Sequence, residues 1–315
     1  MTDITIKHLR YFEALARHRH FGRAAEDRGI SQPALSVQMK ALEDMLSTPL
    51  VERGAKHLRL TSFGDTFLAR VREILQSVDE LGDLARASHQ PLIGRFRFGI
   101  IPTAAPYFLP HFIKCLTQDY PGLDLRPREA VTQKLIDGLL GGNLDTAIVA
   151  LPISEPSLHE EILFDEEFVL VRSIEDADKP VPNSKLLREM KLLLLEEGHC
   201  FRDQALSYCN ASSPLPRDLM EGSSLSTLVQ MVGAGIGVTL IPDMAVPIET
   251  RSASVSVVRL SPPRPWRTIG MVWRKTNPLA DQLKDIAKMV RQTCLDPIPT
   301  ETCLPDACHH TSNTG

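Results

Sequence analysis

The sequence predicts an α+β multidomain protein: an N-terminal helix-turn-helix with a wing, a long linker helix, and a C-terminal α/β domain. Three observations predict it: a helix, glycine turn and capped helix near the N-terminus, an apolar heptad seam after residue 61, and alternating strand and helix patterns from residue 91. A chain of 315 residues also exceeds one ordinary domain of roughly 100–200 residues. We place the domains at 1–60, 61–90 and 91–296, followed by a polar tail, 297–315, that we predict to be disordered.

Composition excludes several classes of protein. The chain is 43% hydrophobic and 23% charged, as is typical of soluble globular proteins. It has no apolar run of the roughly 18 residues that a membrane helix needs. No signal peptide is evident, so we expect a cytoplasmic protein whose six cysteines are reduced thiols. We predict no cofactor and no metal site, because the spacing Cys303-x4-Cys308-His-His fits no strong zinc pattern.

Charge is distributed unevenly along the chain. The first 60 residues carry ten Lys or Arg and seven Asp or Glu, whereas the whole chain has a net charge of −4. A basic head on an acidic remainder is typical of a small nucleic-acid-binding module carried by a larger protein.

The first 50 residues have the pattern of a helix-turn-helix. Residues 7–18 place three apolar side chains on one helical face: Leu9, Phe12 and Ala16. A second helix follows from Phe21 and is expected to stop at Gly29, which tolerates a left-handed conformation. Ser31 is a good N-cap for a third helix, and Pro33 is tolerated in its first turn. Short helix, tight turn and capped helix together predict the motif.

A wing and a linker helix follow. Residues 50–60 read as a short hairpin, and Thr61 and Ser62 can cap a helix running to about residue 86. Its apolar residues recur at intervals of four and three: Phe67, Val71, Ile74, Val78, Leu81 and Ala85. One interpretation is a helix packed on its own domain. We favour a dimerising linker, because the seam is narrow and charged residues flank it.

The remainder predicts an α/β domain of about 200 residues. Candidate strands alternate with helical patterns, and they are Phe96–Ile101, Leu123–Glu129, Asp145–Ala150, Glu167–Arg172, Leu192–Leu195, Ile236–Ile241, Val255–Leu260 and Thr268–Trp273.

Three N-terminal segments resemble the signature of LysR-type transcriptional regulators: residues 21–42, Leu50-Val-Glu-Arg and Leu60-Thr-Ser-Phe-Gly. The resemblance implies a winged helix-turn-helix that binds double-stranded promoter DNA. It further implies a periplasmic-binding-protein-like effector domain of two subdomains, assembly as a homodimer or homotetramer, and contact with RNA polymerase.

Further segments resemble the peroxide-sensing members of that family: residues 101–110 and 195–205, Cys209, and Arg267-Thr-Ile-Gly. This resemblance implies hydrogen peroxide as the signal and oxidative-stress genes as targets. It implies a peroxide pocket lined by Thr103, Thr132, His199 and Arg267, with Asp203 orienting the site. From the residues alone, an N-cap role is favoured for either threonine, and Arg267 could as easily be a surface charge beside Trp266.

The helix-turn-helix also suggests which side chains meet DNA. The N-terminal end of a recognition helix faces base edges, and here it offers Gln32, Pro33 and Ser36. On the wing, phosphate contacts are expected from Arg53, Lys56 and Arg59. The alternative is that Ser31-Gln-Pro only begins a structural helix.

Cys200 is the strongest candidate for chemistry. A thiol reacts as its thiolate, so negative charge on sulfur must be stabilised. Residues 201–208 have helical character, which places Cys200 at the positive end of a helix dipole, and His199 and Arg202 flank it. The negative charge of Asp203 would oppose this stabilisation of the thiolate. The alternative is an inert buried cysteine.

Cys209 supplies the second thiol that a disulfide-forming redox mechanism needs. Peroxide would convert Cys200 to a sulfenic acid, and spacing together with the resemblance suggests that Cys209 condenses with it to a disulfide. Nine helical residues span about 13.5 Å, whereas a disulfide needs Cα atoms within about 7 Å. Oxidation would therefore refold this segment, and a glutathione-type reductant would reset it.

Two rival hypotheses are a metabolite-responsive regulator that binds its effector between the subdomains, and a thiol peroxidase enzyme.

Overall fold

The computed structural model describes residues 4–52, 58–87, 92–208 and 220–294, apart from the side chains of residues 83, 85–87, 185, 188, 293 and 294. The chain divides into two compact units, Met1–Ala85 and Arg86–Gly315. The predictions for Arg53, Lys56, Cys209 and the tail 297–315 lie outside the described residues, and the domain boundaries at 60, 90 and 296 stay predictions. No helix in the described ranges is long and apolar enough to cross a membrane.

The N-terminal unit contains the predicted helix-turn-helix. Its first three helices are α1 (Ile6–His18), α2 (Phe21–Asp27) and α3 (Gln32–Leu46). Gly29 adopts φ +66° in the turn before α3. The Ser31 hydroxyl accepts a hydrogen bond from the backbone amide of Ala34 at 3.3 Å, as its predicted N-cap role requires. A compact core that includes Phe12, Leu35 and Leu42 joins the three helices.

The wing and linker helix follow α3. Backbone hydrogen bonds join the two sides of the predicted hairpin, from Glu52 to Arg59 and from Thr61 to Leu50. Helix α4 (Ser62–Ala87) begins where predicted, with the Thr61 hydroxyl accepting from the amide of Gly64 at 2.9 Å. Val71 is fully buried in the core of its own unit, but further along the helix Ile74, Leu81 and Leu84 are exposed.

The C-terminal unit is built on a mixed sheet. Its strands, with two short ones that pair separately, are β1 (Gly94–Ile100), β2 (Leu123–Glu129), β3 (Thr146–Leu151), β4 (Leu158–Ser173), β5 (Leu194–Leu195), β6 (Glu221–Gly222), β7 (Thr239–Pro242), β8 (Val255–Arg259) and β9 (Trp266–Arg274). The sheet order is β2-β1-β3-β9-β4-β7, and β8 also pairs with β4. Strands β5 and β6 form a separate parallel pair.

Strand β4 belongs to both halves of this unit. Residues 158–167 pair with β9, with an irregularity at Leu163, and residues 168–173 pair with β7 and β8. The described part of this unit also contains the α-helices α5 (Ala105–Asp119), α6 (Thr132–Leu140), α7 (Ser184–Glu189), α8 (Cys200–Tyr208), α9 (Leu225–Gly233), α10 (Val246–Glu249) and α11 (Ala280–Met289). Two hydrophobic cores result, one around β1, β3, α5 and α11, and the other around β7, α8 and α9. These are the two subdomains expected of a periplasmic-binding-protein-like fold.

Two expectations need correction. All eight predicted strands are present, but residues 158–166 of β4 and the two residues of β6 were missed. Acidic residues interrupt the apolar alternation of 158–166, and the partners of Glu161, Asp165 and Glu166 lie more than 100 residues away in sequence. The expectation that all cysteines are reduced is wrong for Cys115, which is disulfide-bonded. A reducing compartment predicts free thiols in general, but which sulfur atoms come together depends on the fold.

Candidate functional site

Cys200 lies where the two subdomains meet. It is the first residue of α8, as predicted, and its side chain is a partly exposed free thiol. Although α8 belongs to the second subdomain, through buried Phe201 and Ala205, Cys200 itself packs against the core of the first. A change in this one helix therefore touches both cores.

The residues before Cys200 form a tight turn. Gly198 adopts φ +94°, a conformation that L-residues rarely take. His199 follows it and is half-buried. Burial lowers the pKa of His199 from its usual value of 6.5, and the nearby carboxylates of Glu196 and Glu129 oppose that shift. The side chain is therefore neutral near pH 7 and can accept a proton.

Arg267 and Thr103 are buried together. The Arg267 side chain is fully buried, so its interpretation as a surface charge is wrong; it is Trp266 that is exposed. Its Nη1 donates to the Thr103 hydroxyl at 2.7 Å and its Nη2 donates to the Thr103 carbonyl at 3.0 Å. The guanidinium also lies 5.6 Å from the ring centroid of Phe201, the neighbour of Cys200. Two of the predicted pocket residues are thus in direct contact.

The carboxylate of Glu166 neutralises Arg267. One of its oxygens accepts from Nε at 2.8 Å and lies 2.7 Å from Nη2. The other accepts from the backbone amide of Met244 at 3.1 Å. Burial raises the pKa of Glu166, while Arg267 and that amide act in the opposite direction. Glu166 was not among the predicted site residues, although strand alternation puts it on the same side of β4 as buried Phe168.

The N-cap interpretation is wrong for both threonines. Ala104 precedes α5 and Val131 precedes α6, and neither helix has a side-chain cap. The Thr132 hydroxyl is buried and has no hydrogen-bond partner among the described residues, and the same holds for Gln204 Oε1, one turn after Cys200. Such atoms are rare in protein interiors. Each can accept a hydrogen bond from a small polar ligand.

The charged residues that follow Cys200 have different surroundings. Arg202 is buried and donates to Glu221 at 2.6 Å and to the Leu195 carbonyl at 2.9 Å, which joins α8 to β5 and β6. Its charge is therefore largely neutralised by Glu221. Asp203 is exposed in the first turn of α8.

The N-terminal unit exposes the predicted DNA-contacting residues that the structure describes. Gln32, Pro33 and Ser36 are exposed in the first turns of α3, while Leu35 between them is buried in the core. One helix thus supplies both a core face and a free polar face, as a recognition helix must. The backbone carbonyl of Arg59 closes the base of the wing.

Comparison with protein families gives two matches. Residues 6–65 match the profile of the bacterial regulatory helix-turn-helix protein, lysR family. Residues 89–295 match the LysR substrate binding domain. Together these ranges cover most of the chain.

Individual relatives agree with these matches. The chain is 41% identical to a probable hydrogen peroxide-inducible genes activator from Streptomyces viridosporus, over 93% of this chain and 95% of that protein. It is 39% identical to the DNA-binding transcriptional dual regulator OxyR of Escherichia coli, over 91% and 95%. Among solved structures, a full-length OxyR cysteine variant from Pseudomonas aeruginosa matches with a TM-score of 0.72, 37% identity, and 92% and 95% coverage.

Proposed function

Since this chain belongs to the LysR family of transcriptional regulators, we propose that it is a cytoplasmic, DNA-binding regulator that senses hydrogen peroxide through Cys200 and controls oxidative-stress genes. Members of this family are regulators rather than enzymes, so the thiol peroxidase hypothesis is set aside. One observation carries the proposal: Cys200 is a free, partly exposed thiol that begins a helix between two hydrophobic cores.

The first chemical step is attack of the Cys200 thiolate on one peroxide oxygen. The O–O bond breaks, Cys200 becomes a sulfenic acid, and the other oxygen leaves as hydroxide, which a proton converts to water. Neutral His199 can accept the thiol proton. The partnerless Thr132 hydroxyl would accept a hydrogen bond from peroxide, and the buried Thr103–Arg267 pair would stabilise the charge that develops on the leaving oxygen. Asp203 orients the first turn of α8.

The second step is condensation of the sulfenic acid with the Cys209 thiol, which forms the disulfide and releases water. Helix α8 extends from Cys200 to Tyr208, eight rises of 1.5 Å, or about 12 Å. One further Cα–Cα step of about 3.8 Å brings Cys209 no nearer to Cys200 than about 8 Å. A disulfide needs about 7 Å or less. The bond therefore requires at least part of α8 to unwind.

Unwinding α8 would change how the subdomains pack. Phe201 packs edge-on against Phe168 with ring centroids 4.7 Å apart, and Arg202 bonds to Glu221. Both contacts must be lost or rebuilt when the helix opens. Because Cys200 itself packs against the core of the first subdomain, the oxidised arrangement would differ in both subdomains, which is the requirement for a two-state switch. A glutathione-type thiol would reset it by exchange with the disulfide.

The N-terminal unit would bind promoter DNA. Gln32, Pro33 and Ser36 would meet base edges in the major groove, and Arg59, with Arg53 and Lys56, would contact phosphates. The exposed apolar residues of α4 would be covered in a homodimer or homotetramer, in which two DNA-binding units engage two half-sites. The redox state would alter how the assembly contacts DNA and RNA polymerase.

The test is peptide mapping after a brief pulse of near-stoichiometric hydrogen peroxide, on wild type and Cys209→Ser. We expect a loss of two hydrogens that maps to Cys200–Cys209 in wild type, and a sulfenic acid trapped at Cys200 in the variant. An unreacted Cys200 under a pulse that leaves the other thiols intact would refute peroxide sensing. It would instead favour the metabolite-responsive hypothesis, which a small-molecule screen for raised melting temperature would then examine.

A further inference from the structure

Glu166 and Arg267 face each other directly across two strands. They are register partners in the antiparallel pairing of β4 with β9. Both side chains are almost completely removed from solvent, with 5% and 0% exposed. A buried guanidinium without a counter-charge is strongly unfavourable, so this carboxylate fixes where the charge of Arg267 can lie.

The two edges of the guanidinium have different partners. On one edge, Nε of Arg267 donates to the Glu166 carboxylate. On the other, Nη1 donates to the Thr103 hydroxyl at 2.7 Å. The second carboxylate oxygen of Glu166 is held by the backbone amide of Met244, in the second subdomain. The carboxylate itself is therefore fixed, and it in turn fixes the direction in which Arg267 donates.

We propose that Glu166 is a positioning residue for the reaction of Cys200 with peroxide, acting through Arg267. This inference rests on the proposed function. In the step described above, negative charge moves from the thiolate sulfur to the leaving oxygen. A cation stabilises that charge best when it is already oriented towards the site and need not rearrange. Glu166 does not touch peroxide, and its effect is on the orientation of the guanidinium.

The chain offers a matched control in Glu249. Glu249 is also buried, with 8% of the residue exposed, and both of its carboxylate oxygens also accept hydrogen bonds. Its partners are the Tyr107 hydroxyl at 2.6 Å and the Ser226 hydroxyl at 2.5 Å, and neither is Arg267. Glu249→Gln and Glu166→Gln thus make the same chemical change at similar depth. Only the second releases Arg267.

The experiment uses the full-length chain carrying Cys209→Ser, so that only the first oxidation step is measured. The rate constant for loss of the Cys200 thiol is determined with hydrogen peroxide and, separately, with iodoacetamide. Alkylation needs the thiolate and access but forms no oxyanion from an O–O bond. A purely structural role would change both rates together, whereas a positioning role changes only the peroxide rate.

We expect Glu166→Gln to lower the peroxide rate constant by about tenfold or more, with alkylation unchanged within about twofold. Glu249→Gln should change neither rate. In an Arg267→Ala background, Glu166→Gln should have no further effect, because the residue acts through Arg267. Glu166→Asp, which keeps the charge but withdraws it by one methylene, should give an intermediate rate. If Glu166→Gln does not fold, the peroxide rate constant of Glu166→Asp tests the proposal in its place.

Three results would overturn the inference: equal peroxide rates for Glu166→Gln and Glu249→Gln, equal losses in peroxide and alkylation rates, or a wild-type rate for Glu166→Asp when Glu166→Gln does not fold. If wild-type Cys200 does not react with peroxide at all, the proposed function fails first. The two failures are therefore distinguishable.

Discussion

Replacing Ala205 with glycine should make the disulfide easier to form. Ala205 is fully buried in the middle of α8 and belongs to the core of the second subdomain. Glycine in a helix interior costs about 1 kcal/mol relative to alanine, and the lost buried methyl group costs about 0.8 kcal/mol. If oxidation unwinds α8, both penalties, together about 1.8 kcal/mol, fall on the reduced form alone.

The predicted shift follows from the two-electron relation between free energy and potential. About 1.4 kcal/mol corresponds to about 30 mV, so the midpoint potential of the Cys200–Cys209 couple should become more negative by about 40 mV. If only the helix-propensity part is lost, the shift is about 20 mV. The assay equilibrates the protein in a series of glutathione redox buffers, quenches with acid, and measures the disulfide fraction by mass spectrometry.

Ala287→Gly is the matched control. Ala287 is also fully buried in a helix, α11, but it belongs to the core of the first subdomain. It should lower the free energy of unfolding by a similar amount and leave the midpoint potential unchanged. Identical midpoint potentials for wild type and Ala205→Gly, with amide exchange showing α8 to be destabilised, would refute the claim that α8 unwinds on oxidation.

Three further predictions concern other parts of the molecule. Burial lowers the pKa of His199, so the folded protein binds fewer protons than the unfolded chain as pH falls below 6.5. Its free energy of unfolding should therefore decline there more steeply in wild type than in His199→Asn, as urea titrations at several pH values would show. Tyr107→Phe removes a donor from buried Glu249 and should cost about 1–3 kcal/mol of stability in urea denaturation; an unchanged midpoint would contradict this. Gln32→Ala should weaken specific DNA binding by about 1–3 kcal/mol and spare non-specific binding, whereas Lys56→Ala should weaken both and flatten their salt dependence. Equal losses from Gln32→Ala on both kinds of DNA would argue against base contact.

Local features were predictable from the sequence because they depend on near neighbours. The caps at Ser31 and Thr61, the turn at Gly29 and the beginning of α8 near Cys200 all involve contacts within a few residues. Periodicity located the strands for the same reason. The family resemblance added the two-subdomain architecture, which the fold confirms.

Only the tertiary structure decided the surroundings of Arg267. Its partners Glu166 and Thr103 are 101 and 164 residues away in sequence. A charged residue beside Trp266 is expected at the surface, because a charge is tolerated in the interior only when a counter-charge is present. The sequence does not show that Glu166 supplies this counter-charge. The disulfide at Cys115 is a second case, since compartment predicted a reduced thiol and the fold placed a second sulfur beside it. The sequence by itself determined most of the elements and the candidate cysteine of this protein, and tertiary structure decided which residues surround Arg267, because strand register sets distances that no local pattern records.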